Sequence, residues 1–241
     1  MSEVDPGVPN EAADKEKLQE LVQKDSKTGR AMTGVWLWLA SGMGVFMVLF
    51  YLYCAAVPVD TQYFYGLYVL ITYVMVFLNY PLATKSGGEK ASFLDGLISL
   101  FSLALAVYFA IVLLVGGDQG AALMKNTWFN IGFAAAALAV AVFTYPLWSR
   151  QDSGAPSALD VVLSLLAVFV VGYYISQFEA LNYRMGSETL LDTAVSTVGI
   201  FVSLEVARRV LGWSMTIVGL TFLCYAFWGD LLHYLPVLKA F

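Results

Sequence analysis

Seven stretches of about 20 predominantly apolar residues dominate the chain: 33–56, 63–83, 93–115, 128–148, 158–178, 190–207 and 213–232. A helix needs about 20 such residues to cross a bilayer, where no water satisfies an open backbone N–H or C=O. None of the seven can be removed without leaving a long apolar loop. The predicted fold class is therefore an all-α integral membrane protein of about seven transmembrane helices. Composition agrees: 13% of the 241 residues are charged, against roughly 25% in a soluble domain, and the mean hydropathy is +0.72.

Lysine and arginine accumulate in cytoplasmic loops, which orients the spans. With the N-terminus inside, the cytoplasmic side collects Lys15, Lys17, Lys24, Lys27, Arg30, Lys85, Lys90, Arg150, Arg208 and Arg209; the other side holds Lys125, Arg184 and Lys239. Seven crossings then put Phe241 outside. Trp36, Trp38, Tyr63, Tyr65, Trp128, Trp148, Trp213 and Trp228 sit near predicted span ends, as interfacial aromatics do.

Residues 1–32 form a polar N-terminal segment ahead of the transmembrane domain, 33–241. The segment lacks the apolar core of a signal peptide, so the mature chain is expected to keep it. Within it, Leu18, Leu21 and Val22 share one helical face among charges. That spacing fits either a short amphipathic helix on lipid or a partner, or a solvated tail. The net charge of -5 carries no basic stripe, hence no nucleic-acid footprint.

An internal repeat at an offset of 65 runs through the middle of the chain. Tyr80-Pro81-Leu82 recurs as Tyr145-Pro146-Leu147, Ser92, Leu94 and Asp95 as Ser157, Leu159 and Asp160, and Ser99, Leu100 and Tyr108 as Ser164, Leu165 and Tyr173. The second and third spans thus read as duplicated in the fourth and fifth. An even number of crossings separates the copies, so the repeat is parallel.

Three acids follow the pattern Ser/Thr-x-x-Asp: Ser92 with Asp95, Ser157 with Asp160, and Thr189 with Asp192. Each falls where a span begins, so the predicted role is helix capping, the hydroxyl accepting from an orphan N–H and the carboxylate meeting the positive helix end. Cation ligation by all three is disfavoured, because the third and fifth spans start inside and the sixth outside.

Other chemistry finds little support. Cys54 and Cys224 lie in apolar runs and read as packed thiols, so no metal site is expected. The single histidine, His233, excludes bis-histidine haem ligation. The last span has no lysine for a retinal Schiff base, and no nucleophile elbow or buried acid pair is visible. No catalytic residue and no cofactor is expected, and the chain does not read as an enzyme. The spans hold neutral polar groups such as Thr72, Ser99, Ser102, Ser164, Ser196 and Thr197, while Gly42, Gly44 and the alanines at 134–137 favour close helix packing.

The polar exception is LEVARRVLGW at 204–213. Glu205 precedes Arg209 by four residues, the favourable order for a helical pair. Arg208 and Arg209 suit both the negative helix end and the cytoplasmic side, and Gly212 can close the helix.

From Leu159 onward the order LDVVLSLLAVFVVGYYI, YRMGSETLLD, LEVARRVLGW, MTIVGLTFLCYAFWGDLLHYLP resembles the small-subunit portion of tripartite ATP-independent periplasmic (TRAP) transporters of the TAXI branch. LQELVQKDSKTGR and VFMVLFYLYCA are similar to that family's start. The most specific pieces are R-x-G-x-x-T-x-x-D, met by Arg184, Gly186, Thr189 and Asp192, and E-x-x-R-R-x-x-G, met by Glu205, Arg208, Arg209 and Gly212. Fused members continue into a large permease where this chain stops, and the extra helix pair departs from the family's pattern.

The resemblance implies a separate small scaffold subunit in the bacterial inner membrane. A periplasmic binding protein would deliver an organic anion to a large elevator-type permease driven by a Na+ or H+ gradient, and the substrate and ion sites would lie in that large partner. Arg184 is then a candidate contact for a periplasmic partner, or a salt bridge at an interface. Glu205, Arg208 and Arg209 are read as a cytoplasmic stop touching a partner subunit or lipid headgroups. The rival readings are a self-sufficient carrier or channel, and a membrane anchor or receptor.

Overall fold

The computed structural model describes residues 29–30, 32–82, 93–148 and 155–232, with the backbone alone for 145–148 and 228–232. Leu18, Leu21 and Val22, whose spacing fits an amphipathic helix or a solvated tail, together with Ser92, Lys85, Lys90, Arg150 and His233, lie outside the described residues. Among those described there are eight helices and no strand: α1 (Val35–Ala56), α2 (Thr61–Asn79), α3 (Phe93–Val115), α4 (Gly117–Lys125), α5 (Thr127–Trp148), α6 (Ala158–Tyr183), α7 (Leu190–Leu211) and α8 (Trp213–Leu232). Six of them, α1, α2, α3, α5, α6 and α7, are long and apolar enough to cross a membrane; the apolar run of α8, Trp213–Phe227, is shorter. The chain has the make-up of a multi-pass helical membrane protein.

The helix bounds depart from hydropathy in three informative places. α2 stops at Asn79 and not at 83, with Tyr80 extended at φ -101° and ψ 114°, because the ring of Pro81 disfavours the helical conformation in the residue before it. α7 runs on to Leu211, which carries Arg208 and Arg209 into its last turn, and Gly212 closes it at φ 86° with its N–H donating to the Arg208 carbonyl. The connection after α3 holds α4, which hydropathy passes over. Asp118 in its first turn and Lys125 in its last oppose the helix dipole. A Cβ on Gly120 would come within 2.5 Å of the Val112 carbonyl, so only glycine lets α4 fold back this closely on α3.

Four helices make the core. Phe77 of α2, Phe109 of α3, Leu163 and Ala167 of α6, and Ala194, Val198 and Val202 of α7 pack as one buried cluster. The most extensive helix contact is α2 on α6, followed by α3 on α7. At the first, a Cβ on Gly66 would lie 2.4 Å from Cγ1 of Ile175, so the small residue sets the approach of the two helices. Of the small residues expected to favour close packing, Gly42 has open space around it and Ala134–Ala136 are exposed, Ala137 is half-buried, and a Cβ on Gly44 would lie 4.0 Å from Cε of Met75 in α2.

The two repeat copies occupy dissimilar positions. α2 lies along α6, whereas α5 touches α3 over a short stretch, where the Tyr108 hydroxyl donates to Oδ1 of Asn130 at 2.8 Å. Tyr80-Pro81-Leu82 has left its helix, while Tyr145-Pro146-Leu147 remains inside α5. α1, α5 and α8 flank the core and present mostly exposed apolar side chains, such as Trp38, Leu52, Phe143 and Phe222.

Candidate functional site

The inward stripe of α7 runs Val195, Val198, Val202, Glu205, Arg209, with steps of three and four residues that keep one helical face. The charged residues therefore continue the apolar stripe, and they point where Val198 and Val202 point. Glu205 and Arg209 are fully buried and Arg208 is 2% exposed. Their partners are other parts of the same chain, because the core packing of α7 rotates its last turns inward.

Glu205 is the hub. Its Oε1 accepts from Nε of Arg209 at 2.6 Å, from Nη2 of Arg208 at 3.0 Å and from the Ser99 hydroxyl of α3, and its Oε2 accepts from Nε of Arg208 at 2.8 Å. Arg209 reaches on to Asp160 at the start of α6, Nη1 to Oδ1 at 2.6 Å, and to the Tyr80 carbonyl at 3.1 Å. Arg208 donates to the Leu82 carbonyl at 3.1 Å and lies 3.6 Å from Oδ1 of Asp95, which also accepts from the Trp213 indole at 3.1 Å. A third guanidinium, that of Arg30 ahead of α1, meets Oδ2 of Asp160 at 2.8 Å. Arg209 also lies over the Phe77 ring at 4.9 Å and Arg208 over Trp213 at 5.9 Å, positions where an aromatic face attracts a cation.

Among the described residues, the carboxylates of Asp95, Asp160 and Glu205 face the guanidiniums of Arg30, Arg208 and Arg209. Burying an ion costs several kcal/mol unless its charge is paired and its hydrogen bonds are made, and this cluster pairs its charges and makes most of its hydrogen bonds through five segments of chain. The kinked Tyr80-Pro81-Leu82 matters here, since leaving the helix frees the carbonyls of Tyr80 and Leu82 for the arginines. Of the cluster's buried nitrogens, Arg209 Nη2 has no hydrogen-bond partner among the described residues.

The capping expectations fare as follows. Ser157 with Asp160 and Thr189 with Asp192 both form complete capping boxes. Asp160 carries a second load beyond its cap, since it also binds two arginines. Asp95 lies in the first turn of α3 and turns to Arg208 and Trp213. Asp95 and Asp160 thus join one cluster while Asp192 belongs to another.

That second cluster closes the α6–α7 turn. Arg184 Nη2 is 3.2 Å from Oδ1 of Asp192, which also accepts from the Tyr173 hydroxyl, and the Thr189 N–H donates to Oδ2 at 2.8 Å. Gly186 turns the chain at φ 85°, and its N–H donates to Glu188 at 2.9 Å. This bond holds the Glu188 carboxyl below its ordinary range. Arg184 is 33% exposed, so its salt bridge lies within the chain while part of the guanidinium stays accessible.

Sequence reasoning missed Arg30, counted only as a loop cation, and Trp213, taken for an interfacial residue. Ser99 was noted as neutral and polar without its partner. The three-and-four stepping from Val195 to Arg209 was the available signal for α7. Among the described residues, no group of three or more His, Cys, Asp or Glu is placed to hold a metal ion.

The fold and cluster define a class, a multi-pass helical membrane protein with a cluster of paired charges at one end of its core. Comparison with family models, curated proteins and solved structures finds no match for the chain.

Proposed function

We propose that the chain is the small scaffold subunit of a TAXI-type TRAP secondary transporter in a bacterial inner membrane, cytoplasmic at its N-terminus and periplasmic at its C-terminus. It would support a large elevator-type permease in binding-protein-dependent uptake of an organic anion. The carrying observation is the closed charge cluster, which ties the ends of α2, α3, α6 and α7 to the segment before α1 and spends its charges on one another. Such an arrangement suits a frame that stays still while another subunit moves. Both motifs behind the resemblance serve as fasteners in this fold: R-x-G-x-x-T-x-x-D closes the α6–α7 turn, and E-x-x-R-R-x-x-G supplies the hub of the cluster.

Reconstitution tests the reading. Liposomes holding the purified chain alone should show no gradient-dependent uptake of organic anions, and crosslinking in native membranes should join it to a large multi-helix permease. Uptake by the chain without a partner overturns the scaffold role in favour of a self-sufficient carrier.

A further inference from the structure

The short contact between α3 and α5 leaves a crevice beside it. The cavity is about 320 Å³ and is lined by Leu97, Phe101 and Leu105 of α3 and by Ala134, Ala137 and Ala141 of α5. Pockets that hold small ligands run from about 300 to 1,000 Å³. The sequence gives a reason for the space. At the repeat offset of 65, α2 corresponds to α5 and α3 to α6, so this contact is the counterpart of the extensive packing of α2 on α6. The three alanines stand where α2 has Val69, Thr72 and Val76, and Ile131 stands where Gly66 admits Ile175. α5 therefore presents smaller side chains than α2 at these positions, and it lacks the glycine that sets the approach of α2 to α6.

Girth and polarity say what fits the crevice. Its lining runs along α3 from Phe93 to Tyr108, about 22 Å at 1.5 Å per residue, which gives the cavity a cross-section of about 15 Å². A helix with its side chains is about 10–12 Å across and several times too thick; a single hydrocarbon chain is slender enough. The lining is apolar except at one end. There the Tyr108 hydroxyl donates to Asn130, the Asn130 amide donates to the Met124 carbonyl at 2.9 Å, and the Tyr108 ring meets Phe133 edge-on with centroids 5.2 Å apart. Next to Met124 in the chain stands Lys125, which is exposed, and three residues on stands Trp128, 83% exposed. A cation and an amphipathic ring beside the end of an apolar crevice suit a phospholipid headgroup.

We infer that the α3–α5 crevice holds one acyl chain of an anionic phospholipid whose phosphate faces Lys125. The chain fills the gap between a lightly held helix and the core. This inference rests on the membrane-spanning make-up of the helices and not on the transporter reading.

The test places the full chain in nanodiscs of phosphatidylcholine holding a small fraction of phosphatidylglycerol with a photoactivatable diazirine in one acyl chain. After illumination, peptide mass spectrometry should find adducts concentrated on α3 between Leu97 and Leu105 and on α5 between Ala134 and Ala141, above the level at the exposed Trp38 and Leu52 of α1. Ala137→Trp fills the crevice and should bring the α3 adducts down to the α1 level; if it fails to fold, Ala137→Leu takes its place with the same expected drop. Lys125→Gln leaves the crevice open and should lower its labelling about fivefold, the scale of one lysine beside anionic lipid. Labelling no denser in the crevice than on α1, or unchanged when the crevice is filled, overturns the acyl-chain site. Labelling that Lys125→Gln leaves unchanged, or that an equally tagged phosphatidylcholine matches, overturns the anionic phospholipid as its occupant.

Discussion

The two ends of α7 each carry a polar cluster, and the two are built on different principles. At the start of α7, Asp192 binds Thr189, Arg184 and Tyr173, all within 19 residues of it along the chain. At the other end, Glu205, Arg208 and Arg209 bind Ser99, Leu82, Tyr80 and Asp160, and the last of these brings in Arg30, 130 residues away from it. The first end is a local motif that fastens a turn and stays partly in contact with its surroundings. The second is a tertiary lock that exists only when four helices and the leading segment have come together. Local capping costs little to form and stabilises modestly, whereas a buried ion cluster contributes specificity and penalises any incomplete arrangement.

Substitutions at the two ends should separate these modes, and the largest effect falls on the hub. Glu205→Gln leaves Arg208 and Arg209 with a neutral partner, and by the general cost of breaking a buried ion pair it should lower stability by about 3–5 kcal/mol. Denaturation in detergent micelles would read it, and a loss below 1 kcal/mol, that of a typical exposed pair, removes the tertiary-lock description. Ser99→Ala withdraws one donor to the same carboxylate and should cost about 1.5–3 kcal/mol, the range for a hydrogen bond to a charged group. The expected mark of a long-range lock is that this α3 substitution and Glu205→Gln are non-additive in a double-mutant cycle. At the opposite end, Thr189→Ala removes the capping hydroxyl and should cost about 1 kcal/mol. Hydrogen exchange should place that loss in the first turn of α7 and leave the far end protected; loosening of both ends together would show that the two clusters are not independent.

The smallest effect concerns Glu188. Because the Gly186 N–H lowers its carboxyl pKa in the folded chain, its contribution is present above the ordinary value of 4.5 and is lost as pH falls through the lowered folded value. Glu188→Gln should therefore reduce thermal stability slightly near neutral pH and make no difference in strong acid. An equal difference at both pH values rules out the carboxylate as its source.

Much of the first end was readable in advance. Thr189-x-x-Asp192 announces a box whose two members lie within one turn, and Arg184 and Gly186 sit just before it, so the residues that make the site are neighbours in the chain. The second end was only half readable. Glu205, Arg208 and Arg209 stood out as charges against an apolar background, and charge counting assigned them to a membrane boundary. It could not tell an arginine that ends a span facing lipid from one that ends a span facing the core. Each residue rotates about 100° further around the helix, so that choice rests on which face of α7 its neighbours bury. The repeat illustrates the same limit. Tyr80-Pro81-Leu82 and Tyr145-Pro146-Leu147 are identical in sequence, yet one has left its helix and offers carbonyls to two arginines while the other stays helical in α5.

The sequence by itself determined the all-helical class, the apolar make-up of the long helices, the caps at Ser157 and Thr189 and the closure of α7 at Gly212, because each depends on contiguous apolar length or on residues within a turn of one another. Only the tertiary structure decided that Arg30, Asp95, Asp160, Glu205, Arg208 and Arg209 form one cluster. The packing of α2 on α6 and of α3 on α7 turns the charged end of α7 inward, where these charges pair with one another, with Ser99 and Trp213 and with the carbonyls of Tyr80 and Leu82.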